Sequence, residues 1–360
     1  MFVPTLAHTL RRRPVVLDGG LSTELEAQGH DLSGSLWSAR LLRDDPEAVL
    51  QAHLAFARAG AEVAITASYQ AGFEGFAAAG LDRRETTALL VRSVELARRA
   101  MAGRGWVAAS VGPYGAALAG GEEYTGGYAA VDPAVTGGSS TPDRSRDTPP
   151  AGGMGVEELL AWHLPRMRVL ADAGADVLAC ETVPAATEAA ALVAALEELQ
   201  VDGWLSLTTT VDEHGVVRTR RGEPAAAVLA RAAASDRVVA VGVNCIDPAG
   251  AGAAIAAAAR SGKPVVCYPN GGGRWDPAAR RWRQDGGFPA GEAASWLRTG
   301  ARLVGGCCRA TPADIAALTA TVSTAGTIPS STIPSSTIPS STIPISTVRD
   351  GMEPTDRDGR

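Results

Sequence analysis

Val238-Val239-Ala240-Val241-Gly242-Val243-Asn244-Cys245 is a short, β-rich apolar run that stops at an amide and a thiol. Runs of the same character recur at Val15 to Leu17, Val63 to Thr66, Trp106 to Ser110, Val177 to Ala179, Trp204 to Leu207, Val265 to Tyr268 and Arg302 to Val304. Helical patterns lie between them. Asp45-Pro46-Glu47 opens one over Ala48 to Ala59 that Gly60 closes, and Leu81 to Ala102, rich in Leu, Ala and Arg, is followed by Gly103. Proline near a helix start and glycine at its end are the expected signals. Strand and helix in alternation mark βα units and a parallel sheet. Eight such units predict an α/β fold, a single (β/α)8 barrel of the TIM type.

At 360 residues and 46% hydrophobic character the chain can bury a full core, and nothing forces a split into two domains. Residues 1–13 read as an N-terminal arm and 14–325 as the barrel. Gly120 to Gly155 is dominated by Gly, Pro, Ser, Thr and Asp and is longer than a βα connection needs. Within it Tyr124 to Tyr128 is expected near the site, while the insertion proper, about 129–155, is expected to be disordered over Thr136 to Pro150. From Thr327 the motif Thr-Ile-Pro-Ser-Ser repeats, with a Thr-Ile-Pro-Ile-Ser variant at Thr342. Proline at that frequency forbids helix and sheet, so 326–360 reads as a disordered low-complexity tail.

The formal charge of −6 carries no basic stripe, and the aromatic residues are scattered rather than interleaved with arginine, which argues against nucleic acid as a partner. Met1 to Arg13 lacks the apolar core of a signal peptide, and no run approaches the roughly 20 apolar residues of a membrane span. A cytoplasmic protein acting on small molecules is expected. Lys263 is the only lysine, in a loop-like stretch before a strand, so Schiff-base chemistry loses its usual anchor. No phosphate-binding loop of the Gly-x-x-x-x-Gly-Lys type is present.

Barrel enzymes build their sites from the C-terminal ends of strands. Here those ends supply Asp18-Gly19-Gly20, Thr66 to Gln70, Gly112 to Gly115, Cys180-Glu181-Thr182, Asn244-Cys245, Pro269 to Gly272 and Gly306-Cys307-Cys308. Cys245, Cys307 and Cys308 are soft ligands with no histidine at ligand spacing, which describes a Zn²⁺ site with an open fourth position. Such an electron-rich centre suits activation of a sulfur nucleophile better than hydrolysis. The alternatives are burial as small apolar residues, which fits Cys267 and Cys180 better, and a vicinal disulfide between Cys307 and Cys308. The five histidines show no paired spacing. Asp18 and Glu181 are placed to hold an ammonium group. Gly19 and Gly20 precede a helix whose Thr23 and Glu26 have capping-box spacing, and amides at such a start attract a carboxylate. Together these groups would clamp the zwitterionic end of an α-amino acid, although a strand-end Asp often only caps the next helix.

The chain resembles the homocysteine S-methyltransferase family, most closely the bacterial enzymes that use S-methylmethionine. The resemblance rests on Leu17 to Glu26, Ser35 to Ala39, Ala64 to Ala71, Ser110 to Ala116, Ala179 to Thr182, Val243-Asn244-Cys245, Tyr268-Pro269-Asn270 and Gly305 to Arg309. It implies a barrel, zinc held by Cys245, Cys307 and Cys308, and homocysteine bound through Asp18, the Gly19 and Gly20 amides and Glu181. Asn244 is carried over with the substrate-binding set, and Trp37 and Tyr69 align with aromatic residues near the site. Two features depart from the family: the insertion after Tyr128, and Gly271-Gly272-Gly273 after Asn270.

What the resemblance implies chemically is methyl transfer from a sulfonium to the thiolate of homocysteine, giving methionine. Zn²⁺ deprotonates a coordinating thiol outright, whereas a free one is only a few per cent ionised at neutral pH. Trp37, Tyr69, Tyr114 or Tyr124 would hold the cationic donor, each contributing about 0.5 to 2 kcal/mol. Packing under the loops is the competing role for Tyr114. S-adenosylmethionine, betaine or a methyl-corrinoid on a partner are alternative donors, and no cobalamin-binding segment supports the last. Other readings are a non-catalytic zinc or redox-sensing barrel and a metal-dependent hydrolase, the latter lacking His or carboxylate ligands at strand ends.

Overall fold

The computed structural model describes residues 4–32, 37–118, 120–132, 153–276, 281–283 and 286–325, with the side chains of 37–38, 274–276 and 281–283 left aside. The repeat tail and the core of the insertion lie outside these residues, as do the expectations attached to them. Twelve strands follow in chain order: β1 Val15–Val16, β2 Val63–Ile65, β3 Trp106–Val111, β4 Val177–Val183, β5 Gly203–Leu207, β6 Thr209–Val211, β7 Val217–Thr219, β8 Val238–Asn244, β9 Val265–Tyr268, β10 Arg274–Asp276, β11 Arg281–Arg283 and β12 Ala301–Val304. Eight form one parallel sheet in the order β1-β12-β9-β8-β5-β4-β3-β2. Leu17 bridges Val63 in parallel and the Asp18 amide donates to Val63 O at 3.1 Å, which closes the sheet on itself. The molecule is the expected (β/α)8 barrel. The pairs β6–β7 and β10–β11 are antiparallel hairpins set in the connections after β5 and β9.

Side-chain alternation along each strand separates two apolar layers. Leu17, Val63, Ala108, Ala179, Trp204, Ala240, Val266 and Leu303 fill the barrel interior. Their neighbours Val16, Ala64, Ala109, Cys180, Leu205, Val241, Cys267 and Val304 face the helices. Parity therefore assigns Cys180 and Cys267 to the shell between sheet and helices. The same parity directs Ser110, Glu181, Ser206, Asn244 and Tyr268 inward at the C-terminal ends. At the opposite mouth the helix Leu6–Leu10 contributes Leu6 and Leu10 to the interior cluster, and the Trp106 indole donates to Pro4 O at 2.9 Å. Lys263 also belongs to that end, its Nζ donating to Ser235 O.

Most expected strand bounds hold to within a residue or two, but β4 runs on to Val183, so Cys180, Glu181 and Thr182 belong to the strand rather than to the loop after it. Helix Pro46–Arg58 starts as its sequence signals require, with the Asp45 carboxylate accepting from the Ala48 amide at 3.1 Å. Helix Arg83–Met101 carries a full capping box between Asp82 and Glu85. The Thr23–Glu26 spacing does not make one. Its helix begins at Leu21, so Thr23 lies inside the first turn, and its hydroxyl accepts from the Arg309 amide at 2.8 Å instead.

His53, on helix Pro46–Arg58, is 1% exposed and neither ring nitrogen has a hydrogen-bond partner. Burial lowers its pKa to about 4 from an ordinary 6.5. Between those values the unfolded chain takes up a proton that the folded chain refuses, so this residue makes stability fall as pH falls through the window. His53→Leu is expected to raise the melting temperature at pH 7.5, where an unpaired buried polar ring is replaced by an apolar side chain. The gain over wild type should widen on going from pH 6.5 towards 4, by about 1.4 kcal/mol per pH unit. Thermal unfolding of both proteins across that range checks this; a difference that does not change with pH contradicts it.

Candidate metal and amino-acid site

Cys245 follows β8 directly, and Cys307 and Cys308 follow β12 after Gly305 and Gly306. Their sulfurs all lie within 4.8 Å of one another, and among the described residues no other His, Cys, Asp or Glu cluster meets that spacing. The Cys245 and Cys308 Sγ atoms are 3.8 Å apart. Sulfurs sharing a tetrahedral zinc with bonds of about 2.3 Å are separated by about 3.8 Å, so the Cys245–Cys308 pair already has the separation the ion needs and Cys307 lies close enough to join it. All five cysteines are free thiols. Hydrogen bonds from Cys307 and Cys308 pull the Cys245 thiol well below its ordinary pKa, and those same bonds push the thiols of Cys307 and Cys308 up.

The backbone here is unusual in a way that serves the cluster. Cys245 and Thr182 have φ of 51° and 59°, in the left-handed region that non-glycine residues avoid. The Asn244 side chain ties down the Thr182 turn. Its Oδ1 accepts from the Thr182 amide at 2.7 Å and from Ser206 Oγ at 2.9 Å, and its Nδ2 donates to Thr182 Oγ1 at 2.7 Å. Asn244 does not line the cavity beside the cysteines. Its amide is engaged within the barrel wall.

That cavity is bounded by Glu181, Tyr69, Tyr124 and the start of helix Leu21–Ala27, together with the thiols. Glu181 is buried, accepts from the Ser110 hydroxyl, and has its pKa pushed up to about 7 by desolvation against hydrogen bonds from Ser110 and Tyr268. Asp18 is 1% exposed and, like Asn244, does not itself line the cavity; its Oδ2 accepts from the Ile65 amide at 2.8 Å while its Oδ1 has no hydrogen-bond partner. Burial drives its pKa well above the carboxylate range, and the nearby Glu181 adds to that. The two acids are thus close enough for Glu181 to oppose ionisation of Asp18.

Gly19 and Gly20 line the cavity, and a Cβ would meet the Phe56 ring at 2.6 Å in one and Cys307 O at 2.6 Å in the other. The Gly20 amide, expected to face a carboxylate, donates to Ala310 O at 2.9 Å. Leu21, Ser22 and Thr23 also line the cavity, and as the first residues of the helix their amides have no intrahelical acceptor. Tyr69 borders the cavity, and the Tyr124 hydroxyl lies 3.1 Å from Cys245 Sγ. Tyr114 is elsewhere, packed edge-on to Trp162 with ring centres 5.1 Å apart. Trp37 opens the 3-10 turn Trp37–Arg40, and its side chain is outside the description.

Three residues of the site went unread in the sequence. Ser110 and Tyr268 were legible as the last inward positions of their strands by the period-2 rule. Glu123, 4% exposed and lining the cavity, was hidden in the glycine-rich stretch beside Tyr124.

Comparison with known proteins agrees with this geometry. The sequence profile of the homocysteine S-methyltransferase family matches residues 15–322. A homocysteine S-methyltransferase of Escherichia coli K12 is 43% identical over 320 residues, covering 85% of this chain and 94% of its own length. Homocysteine S-methyltransferase YbgG of Bacillus subtilis is 38% identical over 331 residues, covering 86% and 95%. The crystal structure of the metallated homocysteine methyltransferase MmuM from Escherichia coli superposes with a TM-score of 0.71 at 40% identity, over 88% of this chain and 98% of that one. This chain belongs to the homocysteine S-methyltransferase family.

Proposed function

We propose that this enzyme moves a methyl group from a sulfonium donor, S-methylmethionine, to the sulfur of L-homocysteine, with Zn²⁺ held by Cys245, Cys307 and Cys308. The observation that carries the proposal is the sulfur cluster itself, with Cys245 and Cys308 at the spacing a tetrahedral ion needs, in a cavity that Glu181 and a helix start also line. Zinc in that position supplies the charge that keeps an arriving thiol ionised at neutral pH. The protein does the rest by binding and alignment. The free oxygen of Asp18 and the Glu181 carboxylate suit the acceptor's ammonium group, which would relieve the desolvation both acids suffer. The amides of Leu21, Ser22 and Thr23 suit its carboxylate.

Held at both ends, the acceptor has its sulfur at the cysteine cluster. Its lone pair forms a bond to the donor methyl carbon as the bond from that carbon to the positive sulfur breaks, and the donor leaves as a neutral thioether. Acceptor and donor both become methionine. No proton moves in that step, so no general base is needed, which accords with a cavity whose ionisable lining is carboxylates, phenols and thiols. Positioning two substrates in line contributes more than any single contact.

Methionine formation from homocysteine, with S-methylmethionine, S-adenosylmethionine or betaine offered in turn, tests the donor assignment; the first should be used most efficiently. Cys245→Ser, Cys307→Ser and Cys308→Ser should each lower bound zinc and reduce activity by more than about a hundredfold while the far-ultraviolet spectrum is kept. Cys267→Ser, in the shell between sheet and helices, should retain activity. Full activity after chelation has removed all zinc contradicts the proposal.

Glu181→Gln removes a buried charge and should raise the homocysteine KM by at least about 30-fold, as expected when one partner of a buried charged contact is lost. The donor KM should move far less. Steady-state kinetics with each substrate varied separates these, and an equal rise in both would assign Glu181 to general architecture instead.

A further inference from the structure

The hairpin of β6 and β7 carries two arginines that are treated differently. Arg218 is paired with Asp212 at 2.8 Å. Arg220, just past β7, forms no ion pair among the described residues. Its Nε donates to Thr208 Oγ1 at 3.1 Å, and Nη1 and Nη2 have no hydrogen-bond partner among the described residues. A guanidinium stays charged in a protein and presents those two nitrogens as a planar fork that matches a carboxylate. Arg220 is half-buried and burial lowers its pKa, so the charge is partly desolvated and has no carboxylate to balance it.

The backbone fixes where this cation stands. On either side of Arg220, the Thr219 amide donates to Glu223 O at 2.9 Å and the Arg221 amide to Pro184 O at 3.1 Å. A Cβ at Gly126 would meet Arg221 Cγ at 2.8 Å, so the turn lies against the Tyr124 to Gly126 stretch. The Arg220 guanidinium is 5.6 Å from the centre of the Tyr124 ring, whose hydroxyl is 3.1 Å from Cys245 Sγ. Thr208 belongs to the same group, its hydroxyl donating to Cys245 O at 3.4 Å. A cation therefore stands one aromatic ring away from the sulfur cluster, while the cavity itself is lined by no Lys, Arg or His among the described residues.

We propose that Arg220 binds the carboxylate of the methyl donor in the fork of Nη1 and Nη2, and so restricts the donor to onium compounds that carry a carboxylate. The proposal rests on the methyl-transfer reading above and adds the chemical class of the donor. The acceptor's carboxylate is matched there to the start of helix Leu21–Ala27, so the donor's carboxylate needs a partner of its own. In S-methylmethionine that carboxylate is at the far end of the chain from the methyl group. With the methyl directed at the cluster, the far end extends past Tyr124 to Arg220. An onium compound of the same size without the acid gains nothing from this group.

The test uses the full-length, zinc-loaded protein and two donors, S-methylmethionine and its α-carboxamide, which keeps the sulfonium and loses the acid. With the wild type the amide should show a KM about 10- to 100-fold higher, as expected for loss of one charge-assisted contact. Arg220→Gln should raise the S-methylmethionine KM by a similar factor and leave the two donors nearly equal. Arg220→Lys, which keeps the charge without the fork, should fall between. The homocysteine KM and the bound zinc should stay within about twofold, since binding of the acceptor is untouched. Calorimetric titration of acid and amide reads the same preference as affinity, without turnover. Equal binding and use of the two donors by the wild type overturns the proposal, as does an Arg220→Gln protein that keeps the preference. Loss of zinc from Arg220→Gln with the preference intact assigns Arg220 to the sulfur cluster instead. If no onium donor is turned over by the wild type, the methyl-transfer reading fails, and a calorimetric preference that disappears in Arg220→Gln still decides the role of Arg220.

Discussion

The turn Tyr268-Pro269-Asn270-Gly271 brings the three cluster cysteines together, although none of them belongs to it. In the sheet order β9 stands between β12 and β8, and neighbouring strands are about 4.8 Å apart, so the strands that deliver the cysteines are separated by about 9.6 Å. The sulfurs of Cys245 and Cys308 nevertheless approach to 3.8 Å. Backbone bonds on both flanks of the β9 turn close the gap. The Cys245 amide donates to Tyr268 O and the Asn270 amide to Ile246 O on one side; the Cys307 amide donates to Pro269 O and the Gly271 amide to Cys308 O on the other. The two thiol-bearing ends lean over β9 from either side, and the left-handed backbone of Cys245 is what that lean requires.

The electrostatics of the cavity follow from that geometry. Thiols converge where the parallel strands end, the inward row below contributes Glu181, and Asp18 is buried just past the end of β1. Buried acids without a cationic neighbour carry a desolvation cost, visible in the raised pKa of both carboxyls. The structure bears this cost because barrel closure and the apolar shell fix the wall independently of the site. A bound group that carries positive charge would recover part of it.

The parts legible in the sequence were those governed by local periodicity. Strand positions, the barrel, the outward-facing Cys267 and the thiols at strand ends all follow from a repeat of two along short apolar runs. Contacts between distant segments were not legible. Glu181 and Thr182 looked like the start of a loop because polar residues commonly end a strand, yet here they continue β4 with their charge and hydroxyl turned into a polar interior. Thr23 and Glu26 had the spacing of a capping box, but the hydroxyl is taken by the amide of Arg309, a residue 286 positions away. Asn244 read as a group facing ligand, and is instead engaged by Thr182 and Ser206.

Donor and acceptor counting settles how the Tyr114–Tyr128 segment is secured. Arg166 has only N–H groups to offer, so its 2.9 Å contact to His163 makes Nδ1 the acceptor, and His163 must then carry its proton on Nε2. That proton faces Glu188 Oε1 at 2.9 Å. Burial lowers the His163 pKa to about 4, so the ring stays neutral between the guanidinium and the carboxylate. Glu188 in turn accepts from the Tyr114 amide and the Tyr128 hydroxyl, one at each end of the segment. A protonated His163 would have no lone pair for Arg166, and a deprotonated hydroxyl on Tyr128 would repel Glu188. Every donor is therefore fixed: Arg166 gives to His163, and His163 and both tyrosines give to Glu188, so the segment that brings Tyr124 to Cys245 is anchored at each end by one buried carboxylate.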